Sequence, residues 1–547
     1  MKTDFSHISP RFRRFYRIFL CLHLLALLAL WGGTALETRP VALADLRLAE
    51  GEKLDCVSYA PYHLPGQTPL NPEIRISREQ MAADLATLSS LARCVRTYAV
   101  NQGLEEVPEL ARSLGMRVWL GAWIGHDTAL NRRELETAIR LANRYPGTVR
   151  GLIVGNEVML RREQPEAALK SLLDEARRQT RVPVSYADVW EFWLRYPDLA
   201  QSVDFLTIHV LPYWEDHPVG VEQAVAHVAQ ARQRVLARYG KPVLIGETGW
   251  PSAGRQREAA RPGKVEQARY LRDFAQVAHA QGWRYNLMEA IDQPWKRYLE
   301  GTVGGHWGIL DAQLTPKFAF QGQVAQRASF MPVLLSSAAG MALALSLSLF
   351  GRRNLKKSLC AAVAGAWLGG VLRMAWEHGV VAYRDIREWE LLGLVALLGA
   401  LLTLGHALGR RARMPFLTAW QRYRHGALWR MPALRLAIFF AGALAALLLF
   451  ADPRYRDFPY WLHVIPVPTL LALTISRLSR NGQEEGILAA VILFCGLGRW
   501  LMEPQNAQAQ AWGMLCLLLA SSGLLGWGGR ARSSKANNAA KAEASKQ

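Results

Sequence analysis

The sequence predicts an α/β protein in which a TIM-type (β/α)8 barrel is followed by an all-α domain of several membrane-spanning helices. Two observations carry this prediction. Residues 37–330 contain eight short apolar runs of β type, separated by helical patterns, over a length typical of such barrels. From Met331 onward, runs of roughly 20 apolar residues recur, which is the length that crosses a lipid bilayer.

The chain begins with a basic segment, residues 1–17, followed by an apolar segment, residues 18–36. This order is typical of a transmembrane signal anchor with its N-terminus in the cytoplasm. The triplets Gly33-Thr34-Ala35 and Ala42-Leu43-Ala44 also fit small-x-small cleavage sites, so removal of the segment is the alternative. Both interpretations export the residues that follow.

The eight β-type runs recur at barrel-like intervals and end in polar or aromatic residues. A closed parallel barrel builds its active site at those strand ends, and an open doubly wound sheet of eight units is the alternative fold. Cys56 and Cys94 lie in the first two runs, as either a disulfide between neighbouring strands or two buried thiols. The runs are 53–60, 94–99, 116–123, 149–157, 182–188, 203–210, 242–247 and 283–289.

The C-terminal part contains seven candidate spans and a tail. Basic links at 351–357 and 410–435 alternate with neutral or mixed links, and positively charged loops stay in the cytoplasm. This predicts a membrane domain of about seven helices over 331–530, a disordered cytoplasmic tail over 531–547, and 37–330 outside. The spans are 331–350, 358–380, 390–409, 433–451, 460–476, 487–503 and 511–528.

Excess positive charge accompanies the apolar segments rather than the barrel. Residues 1–17 contain five Lys and Arg against one acid, residues 18–330 contain 36 against 34, and residues 331–547 contain 24 against 10. A nucleic-acid-binding domain needs a basic face, which a near-neutral middle segment does not provide. The charge pattern therefore predicts a lipid bilayer, and not nucleic acid, as a partner.

Two of the predicted strands end in glutamate. Gly151-Leu-Ile-Val-Gly-Asn-Glu157 is the fourth strand, and Pro242-Val-Leu-Ile-Gly-Glu247 is the seventh. A carboxylate after four apolar β residues is costly to bury, so two of them at one barrel face indicate chemistry. Retaining glycoside hydrolysis needs two such carboxyls, one ionised nucleophile and one acid that starts protonated.

Gly-Asn-Glu157 on the fourth strand and Gly-Glu247-Thr-Gly-Trp-Pro-Ser on the seventh resemble the signatures of glycoside hydrolase family 17, the β-1,3-glucanases and glucanosyltransferases. Within that family, the chain resembles bacterial members in which the barrel is fused to a membrane region. The resemblance covers residues 50–325. It implies that Glu247 is the nucleophile, that Glu157 is the acid/base, and that Asn156 binds the sugar 2-hydroxyl. It also implies the bacterial inner membrane, with the barrel in the periplasm.

Further residues near the strand ends are expected to contact sugar, because sugar rings need aromatic platforms beside carboxylates and amides. Arg96 is the expected cation that keeps Glu247 ionised. The segment from Glu289 to Lys296 resembles the family's strand-eight region, although Gln293 stands where many members have an acid. The predicted substrate-binding residues are Tyr59, Arg96, Asn156, Tyr186, Asp188, His209, Tyr213, Trp250, Glu289, Asp292, Lys296 and Trp307, and the same rim also includes Tyr98, Trp123, Trp190, Trp193, Trp214 and Trp295.

The predicted function is that of a membrane-anchored retaining β-glucan transglycosylase, which elongates, branches or cyclises β-1,3-glucans by double displacement. Hydrolysis of β-1,3-glucan, with water as acceptor, is the alternative. A nucleotide-sugar-dependent glucan synthase is disfavoured because the chain lacks an Asp-x-Asp site and a Gln-x-x-Arg-Trp motif. A non-catalytic glycan-binding module is disfavoured because both glutamates are present. No metal or cofactor is expected, since no ligand spacing indicates one.

The membrane half contains a repeated motif, Tyr-Arg-Asp-x-x-x-Trp, at 383–389 and 455–461. Arg373 with Glu377, and Arg499 with Glu503, are spaced as i, i+4 ion pairs. The motif fits an interfacial belt of aromatic and basic residues. The alternative is a polar outer rim that handles glucan.

Overall fold

The computed structural model describes residues 10–49, 51–349, 355–409, 430–478 and 483–525. The predicted tail, most of the basic link at 410–435 and the start of the link at 351–357 lie outside the described residues. The chain divides into two compact units, one formed by Pro40–Ala325 and the other by Met1–Arg39 together with Gln326–Gln547.

The first unit is a closed barrel of eight parallel strands in sequential order. The barrel closes because β1 pairs with β8, with Val57 opposite Leu287. This confirms the predicted fold class and excludes the open doubly wound sheet. The strands are β1 Val57–Ser58, β2 Cys94–Arg96, β3 Arg117–Ala122, β4 Val149–Asn156, β5 Val184–Val189, β6 Leu206–His209, β7 Val243–Thr248 and β8 Arg284–Leu287.

Helices alternate with these strands and form the second unit. In chain order they are α1 Pro10–Glu37, α2 Arg78–Leu91, α3 Val107–Ser113, α4 Thr128–Arg144, α5 Val158–Arg161, α6 Glu166–Gln179, α7 Trp190–Arg195, α8 Val221–Tyr239, α9 Lys264–Ala280, α10 Arg297–Glu300, α11 Met331–Leu349, α12 Leu355–Ala382, α13 Ile386–Ala407, α14 Arg430–Ala451, α15 Tyr460–His463, α16 Val467–Ile475, α17 Gln483–Met502 and α18 Ala507–Leu524.

Helix α4 illustrates why the barrel helices form where they do. Asp127 precedes the helix, and its carboxylate accepts hydrogen bonds from the N–H groups of Ala129 and Leu130. Leu135, Ala138, Ile139 and Ala142 then recur at spacings of three and four and are buried. Because that spacing repeats one helical face, it packs α4 against β3 and β4.

The barrel has a small interior core of its own, inside the ring of strands. Cys56 and Cys94 belong to it and form a disulfide between β1 and β2. The sequence left a disulfide and two buried thiols as alternatives for these cysteines, and the structure contains the disulfide. The interior cluster consists of Cys56, Cys94, Trp119, Ile153, Ala187, Phe205 and Leu244.

The second unit is entirely helical within its described residues. Six of its helices are long and apolar enough to cross a membrane, by length and composition: Phe12–Glu37, Met331–Leu349, Leu355–Ala382, Ile386–Ala407, Ala433–Ala451 and Glu484–Met502. The segment expected to span at 460–476 is instead two short helices, α15 and α16. Pro466 lies at the break, and the free carbonyl of Ile465 accepts hydrogen bonds from Trp367 Nε1 at 3.1 Å and Thr403 Oγ1 at 3.5 Å.

The expected ion pairs in this unit are present. Arg373 contacts Glu377 at 2.8 Å, and Arg499 contacts Glu503 at 3.0 Å. In the first of the two repeated motifs, Asp385 caps α13 by accepting the N–H of Glu388 at 3.1 Å. These contacts give the charged side chains local partners, and the Arg499–Glu503 pair is the most buried of them, with side chains 8% and 11% exposed.

Candidate active site

The fourth and seventh strands bring Glu157 and Glu247 to the same end of the barrel. Glu157 follows β4 directly, with a left-handed backbone (φ 54°), and its N–H donates to Ala187 O on β5 at 2.7 Å. Glu247 lies within β7, and 7% of its side chain is exposed. A carboxylate oxygen of each, together with a nitrogen of His209, forms a group whose members all lie within 4.8 Å of one another.

Arg96, at the end of β2, crosses the barrel interior beneath these carboxylates and is 1% exposed. Its Nη1 donates to Gly246 O at 2.7 Å and lies 3.5 Å from Glu247 Oε1, while its Nη2 donates to Asn156 Oδ1 at 2.6 Å. Gly246 leaves room for the Arg96 guanidinium, because a Cβ at position 246 would stand 3.2 Å from Arg96 Nη1. The guanidinium therefore lies against Glu247, as expected from the sequence.

His209, at the end of β6, lies between the two glutamates and is 1% exposed. Its Nδ1 is 2.8 Å from Glu157 Oε1, and its Nε2 is 3.2 Å from Arg96 Nη1 and 3.6 Å from Glu247 Oε1. A guanidinium only donates hydrogen bonds, so the facing Nε2 accepts and the ring proton is assigned to Nδ1. His209 therefore donates to Glu157 through Nδ1 and accepts from Arg96 through Nε2, and the same Arg96 Nη1 faces Glu247 Oε1.

The electrostatics of Glu157 differ from the simple expectation that the acid is protonated at the start. Burial raises the pKa of the Glu157 carboxyl, but the hydrogen bond from His209 and the charges of Arg161 and Arg96 outweigh burial and lower that pKa below its usual range. Arg161 Nη1 is 3.9 Å from Glu157 Oε2. In the sugar-free cleft, Glu157 is thus predominantly ionised at neutral pH.

Asp188, at the end of β5, has the opposite shift. Burial raises its pKa to about 6, helped by the nearby Glu157 charge and opposed by a hydrogen bond from Tyr186. The Tyr186 hydroxyl donates to Asp188 and accepts the N–H of Met159 at 2.9 Å. Tyr186 and Asp188 therefore form a buried pair behind Glu157, which fixes the turn that carries it.

Two lysines hold the acids that follow β8. Lys296 Nζ donates to both carboxylate oxygens of Glu289, at 3.1 and 2.9 Å, and burial raises the Glu289 pKa to about 7 against that attraction. Lys317 Nζ donates to Asp292 Oδ1 at 2.8 Å. Burial raises the Asp292 pKa, but Lys317 and His306 outweigh burial and lower it.

Several aromatic residues expected to contact sugar form the walls beneath the cleft. Tyr59 is 1% exposed and its hydroxyl donates to Asp84 Oδ2 at 2.8 Å. Tyr213 donates to Arg255 O, and Trp250 Nε1 donates to Arg261 O at 2.8 Å. Trp307 is fully buried. The partly exposed rim aromatics are Tyr98, Trp123, Trp214 and Trp295.

Three charged residues of the site were not indicated by the sequence: Arg161, Glu300 and Lys317. Glu300 lies close enough to Glu157 and Glu247 for both to raise its pKa, although burial is the larger cause. Its Oε2 is buried and has no hydrogen-bond partner among the described residues. All three lie in short helices or irregular segments, where no strand-end pattern marks them.

Comparisons with known proteins concern the barrel segment. Residues 56–308 match the model of the BtgE/BtgC glycoside hydrolase domain. A probable glucan endo-1,3-beta-glucosidase btgC of Aspergillus clavatus is 27% identical over 290 residues, which cover 47% of this chain and 41% of the relative. The cell surface mannoprotein MP65 of Candida albicans is 25% identical over 260 residues, covering 46% of this chain and 65% of the relative.

A solved glycoside hydrolase family 17 β-1,3-glucanosyltransferase from Rhizomucor miehei is 25% identical and covers 49% of this chain and 98% of that chain, with a TM-score of 0.44. The chain spans less than half the length of the curated btgC relatives that it matches. The family model matches within the barrel, and together with the btgC relatives it confirms the resemblance drawn from the two glutamate motifs. Residues 56–308, which form the barrel, are similar to the BtgE/BtgC glycoside hydrolase domain.

Proposed function

We propose that the protein is a membrane-anchored retaining β-glucan transglycosylase that acts on β-1,3-glucans. The observation that carries the proposal is the separation of the glutamates, whose nearest oxygens lie within 4.8 Å of each other. Retaining glycosidases hold their two carboxyls about 5–5.5 Å apart, whereas inverting enzymes need about 6.5–9.5 Å to admit a water. The short separation favours direct attack by a carboxylate on the sugar.

In the first step, Glu247 attacks the anomeric carbon of a β-glucan, and Glu157 gives a proton to the departing glycosidic oxygen. A new bond joins the sugar to Glu247, and the rest of the chain leaves as an alcohol. In the second step, Glu157 takes the proton of an acceptor hydroxyl, whose oxygen displaces Glu247. A sugar acceptor elongates, branches or cyclises the glucan, and water hydrolyses it.

The neighbours of the glutamates fit these roles. Arg96 Nη1 lies 3.5 Å from Glu247 Oε1, so a positive charge stands beside the carboxylate that attacks the sugar. Because Arg96 Nη2 donates to Asn156 Oδ1, the amide nitrogen of Asn156 is left to donate toward the cleft. A donor at that position can bind the sugar 2-hydroxyl, a contact that strengthens in the transition state.

The lowered pKa of Glu157 determines when the first step is possible. The free enzyme needs Glu157 protonated, so kcat/KM is high below that pKa and falls as pH rises through it. The second step instead needs the ionised form, which the His209 hydrogen bond stabilises. We therefore expect an acidic optimum for kcat/KM.

The cellular arrangement is part of the same proposal. Six apolar helices support a multi-pass protein of the bacterial inner membrane. The basic links support a cytoplasmic N-terminus, residues 1–17, an anchor at 18–36, a periplasmic barrel at 37–330 and a membrane domain at 331–530. The Cys56–Cys94 disulfide supports an oxidising compartment for the barrel.

Product analysis tests the proposed chemistry. Full-length protein in detergent is incubated with laminari-oligosaccharides, and products longer or more branched than the substrate are expected. Products that are only shorter would favour the β-1,3-glucan hydrolase instead. Glu247→Gln, which keeps the size of the side chain, should lower turnover by several orders of magnitude, and near-normal turnover of this variant would refute the assignment of the nucleophile.

A further inference from the structure

His63 lies in the loop between β1 and α2, and oxygen atoms face both nitrogens of its ring. The side chain is 4% exposed. Its Nδ1 is 2.8 Å from the backbone oxygen of Ala312, in the segment that follows β8. Its Nε2 is 3.2 Å from Oδ1 and 3.3 Å from Oδ2 of Asp84, a buried residue of α2. The ring therefore connects three parts of the barrel: the loop after β1, helix α2 and the segment after β8.

These partners determine the charge of the ring. A backbone carbonyl only accepts hydrogen bonds, and so does a carboxylate. The Asp84 carboxylate also accepts the Tyr59 hydroxyl at 2.8 Å. His63 donates to both of its partners only when each ring nitrogen has a proton, and the ring is therefore assigned as the imidazolium cation.

The groups that face the ring favour this cation. Burial lowers the pKa of His63, but the hydrogen bond and charge of Asp84, together with the hydrogen bond to Ala312, outweigh burial and raise it above its usual value. Tyr59 lies behind Asp84, and burial, followed by the Asp84 charge, raises the pKa of its hydroxyl well above its usual value, so it stays neutral. In the segment after β8, Asp311 directs its Oδ1 to two N–H groups of its own turn.

Loss of one proton from His63 breaks one of the two contacts. If the neutral ring keeps its proton on Nε2, the lone pair of Nδ1 faces the Ala312 oxygen at 2.8 Å. If it keeps the proton on Nδ1, the lone pair of Nε2 faces the Asp84 carboxylate at 3.2 Å. Because a lone pair and an acceptor oxygen repel each other, neither neutral form satisfies both partners.

We propose that His63 is a pH-sensitive latch: as a cation it fastens the loop after β1 to α2 and to residues 311–315, and as a neutral ring it releases one of these attachments. The latched state is the acidic one. The pKa of His63 is raised on folding, so the stability that the latch contributes is fully present below the unfolded pKa of about 6.5. It is lost as pH rises through the higher folded pKa.

The released loop borders the cleft. Its Ala60 carbonyl accepts the Gln293 side chain at 2.8 Å, and Gln293 Oε1 in turn accepts the indole N–H of Trp295 at 2.9 Å. Trp295 is one of the partly exposed aromatic residues of the rim. Release of His63 therefore loosens the edge of the cleft formed after β1 and β8.

Hydrogen exchange of the full-length protein in detergent tests the latch without any substrate, so its result does not depend on the proposed function. Exchange is followed by mass spectrometry over about pH 5–9, and each rate is divided by the intrinsic rate at that pH. Peptides that contain Leu64, Gln67, Asp311 and Leu314 report on the two segments, because these N–H groups are hydrogen-bonded there. Their protection should fall at least about tenfold as pH rises, as expected for loss of a hydrogen bond from a charged group. Protection in α4 should stay constant.

Two variants locate the titrating group. His63→Gln has no charge to lose, so both segments should exchange at the fast rate of the alkaline wild type at every pH. Asp84→Asn keeps the imidazole and removes the anion that stabilises its proton, so the transition should move to lower pH by at least about one unit. His279→Leu is the matched control, since His279 contacts the Tyr285 hydroxyl near the start of β8, and it should reproduce the wild-type transition.

Protection of both segments that does not change with pH in the wild type would overturn the proposal. A loss at alkaline pH that persists unchanged in His63→Gln would also overturn it, because another group would then titrate. Loss of protection in α4 would mark a misfolded variant, and the transition of Asp84→Asn then decides. A transition that stays at the wild-type pH in Asp84→Asn would show that Asp84 does not hold the proton on His63.

Discussion

Replacing His209 with leucine should extend the chemistry of the barrel toward alkaline pH. His209 Nδ1 donates to Glu157 Oε1 over 2.8 Å, and this hydrogen bond stabilises the carboxylate. Leucine fills a similar volume in this buried position but donates no hydrogen bond. The ionised form of Glu157 is thereby destabilised, and the pKa of its carboxyl rises.

The size of the effect follows from the hydrogen bond. A hydrogen bond to a charged group contributes about 1.5–3 kcal/mol, and about 1.4 kcal/mol changes a pKa by one. The Glu157 side chain is 21% exposed, so little of this is lost to solvent. Because kcat/KM requires protonated Glu157 in the free enzyme, its alkaline limb should move up by about one to two pH units.

The measurement is a pH profile of kcat/KM for a labelled laminari-oligosaccharide, using full-length protein in detergent over about pH 3–8. His279→Leu is the control, because His279 contacts the Tyr285 hydroxyl at 3.1 Å, away from both glutamates. Its profile should keep the wild-type shape. An alkaline limb that stays in place or moves to lower pH in His209→Leu would show that His209 does not stabilise the Glu157 carboxylate.

Three further results are expected. Azide should restore turnover to Glu157→Ala with formation of a β-glycosyl azide, because this variant still forms the glycosyl-enzyme, whereas any azide product of Glu247→Ala should be the α-glycosyl azide of direct displacement; a β-azide from Glu247→Ala would exchange the two roles. Reduction of the Cys56–Cys94 bond, which closes a separation of 38 residues, should lower the unfolding free energy of the barrel by about 4 kcal/mol, measured by denaturant titration with and without reductant. Reporter fusions after Lys357 should behave as cytoplasmic and fusions near Asp457 as periplasmic, whereas a periplasmic signal from the basic link at 410–435 would overturn the topology.

The positions of the barrel strands could be predicted from the sequence, because the glutamate motifs lie where apolar strands end. Each predicted run overlaps an observed strand, although the first, predicted over 53–60, is reduced to Val57–Ser58. Both glutamates, Arg96 and His209 lie together at the end of the barrel where the motifs predicted them. An apolar strand that ends in a carboxylate is a local signal, so it is visible without a fold.

Side-chain direction was not predictable in the same way. In a barrel both strand faces are covered, by the interior or by helices, so alternation does not tell which aromatic residue reaches the cleft. Tyr59 and Trp307 therefore looked like platforms but are buried. Lys317 was missed because its partner, Asp292, lies 25 residues earlier in an irregular segment. The helix break at Pro466 was missed because the span was assigned from the mostly apolar composition of 460–476, and its two prolines, Pro466 and Pro468, were not weighed.

Arg96 contacts groups from three other strands: Asn156 on β4, His209 on β6 and Gly246 on β7. Removing one partner of such a buried charge network costs about 3–5 kcal/mol, since the remaining polar groups lose their counterpart. The same guanidinium thus holds the barrel wall together and contacts the proposed nucleophile. A descendant of this domain can lose either glutamate and persist as a folded, inactive barrel, but loss of Arg96 removes shape and chemistry at once. Evolution of a purely sugar-binding form is therefore expected to change Glu157 or Glu247 and to retain Arg96.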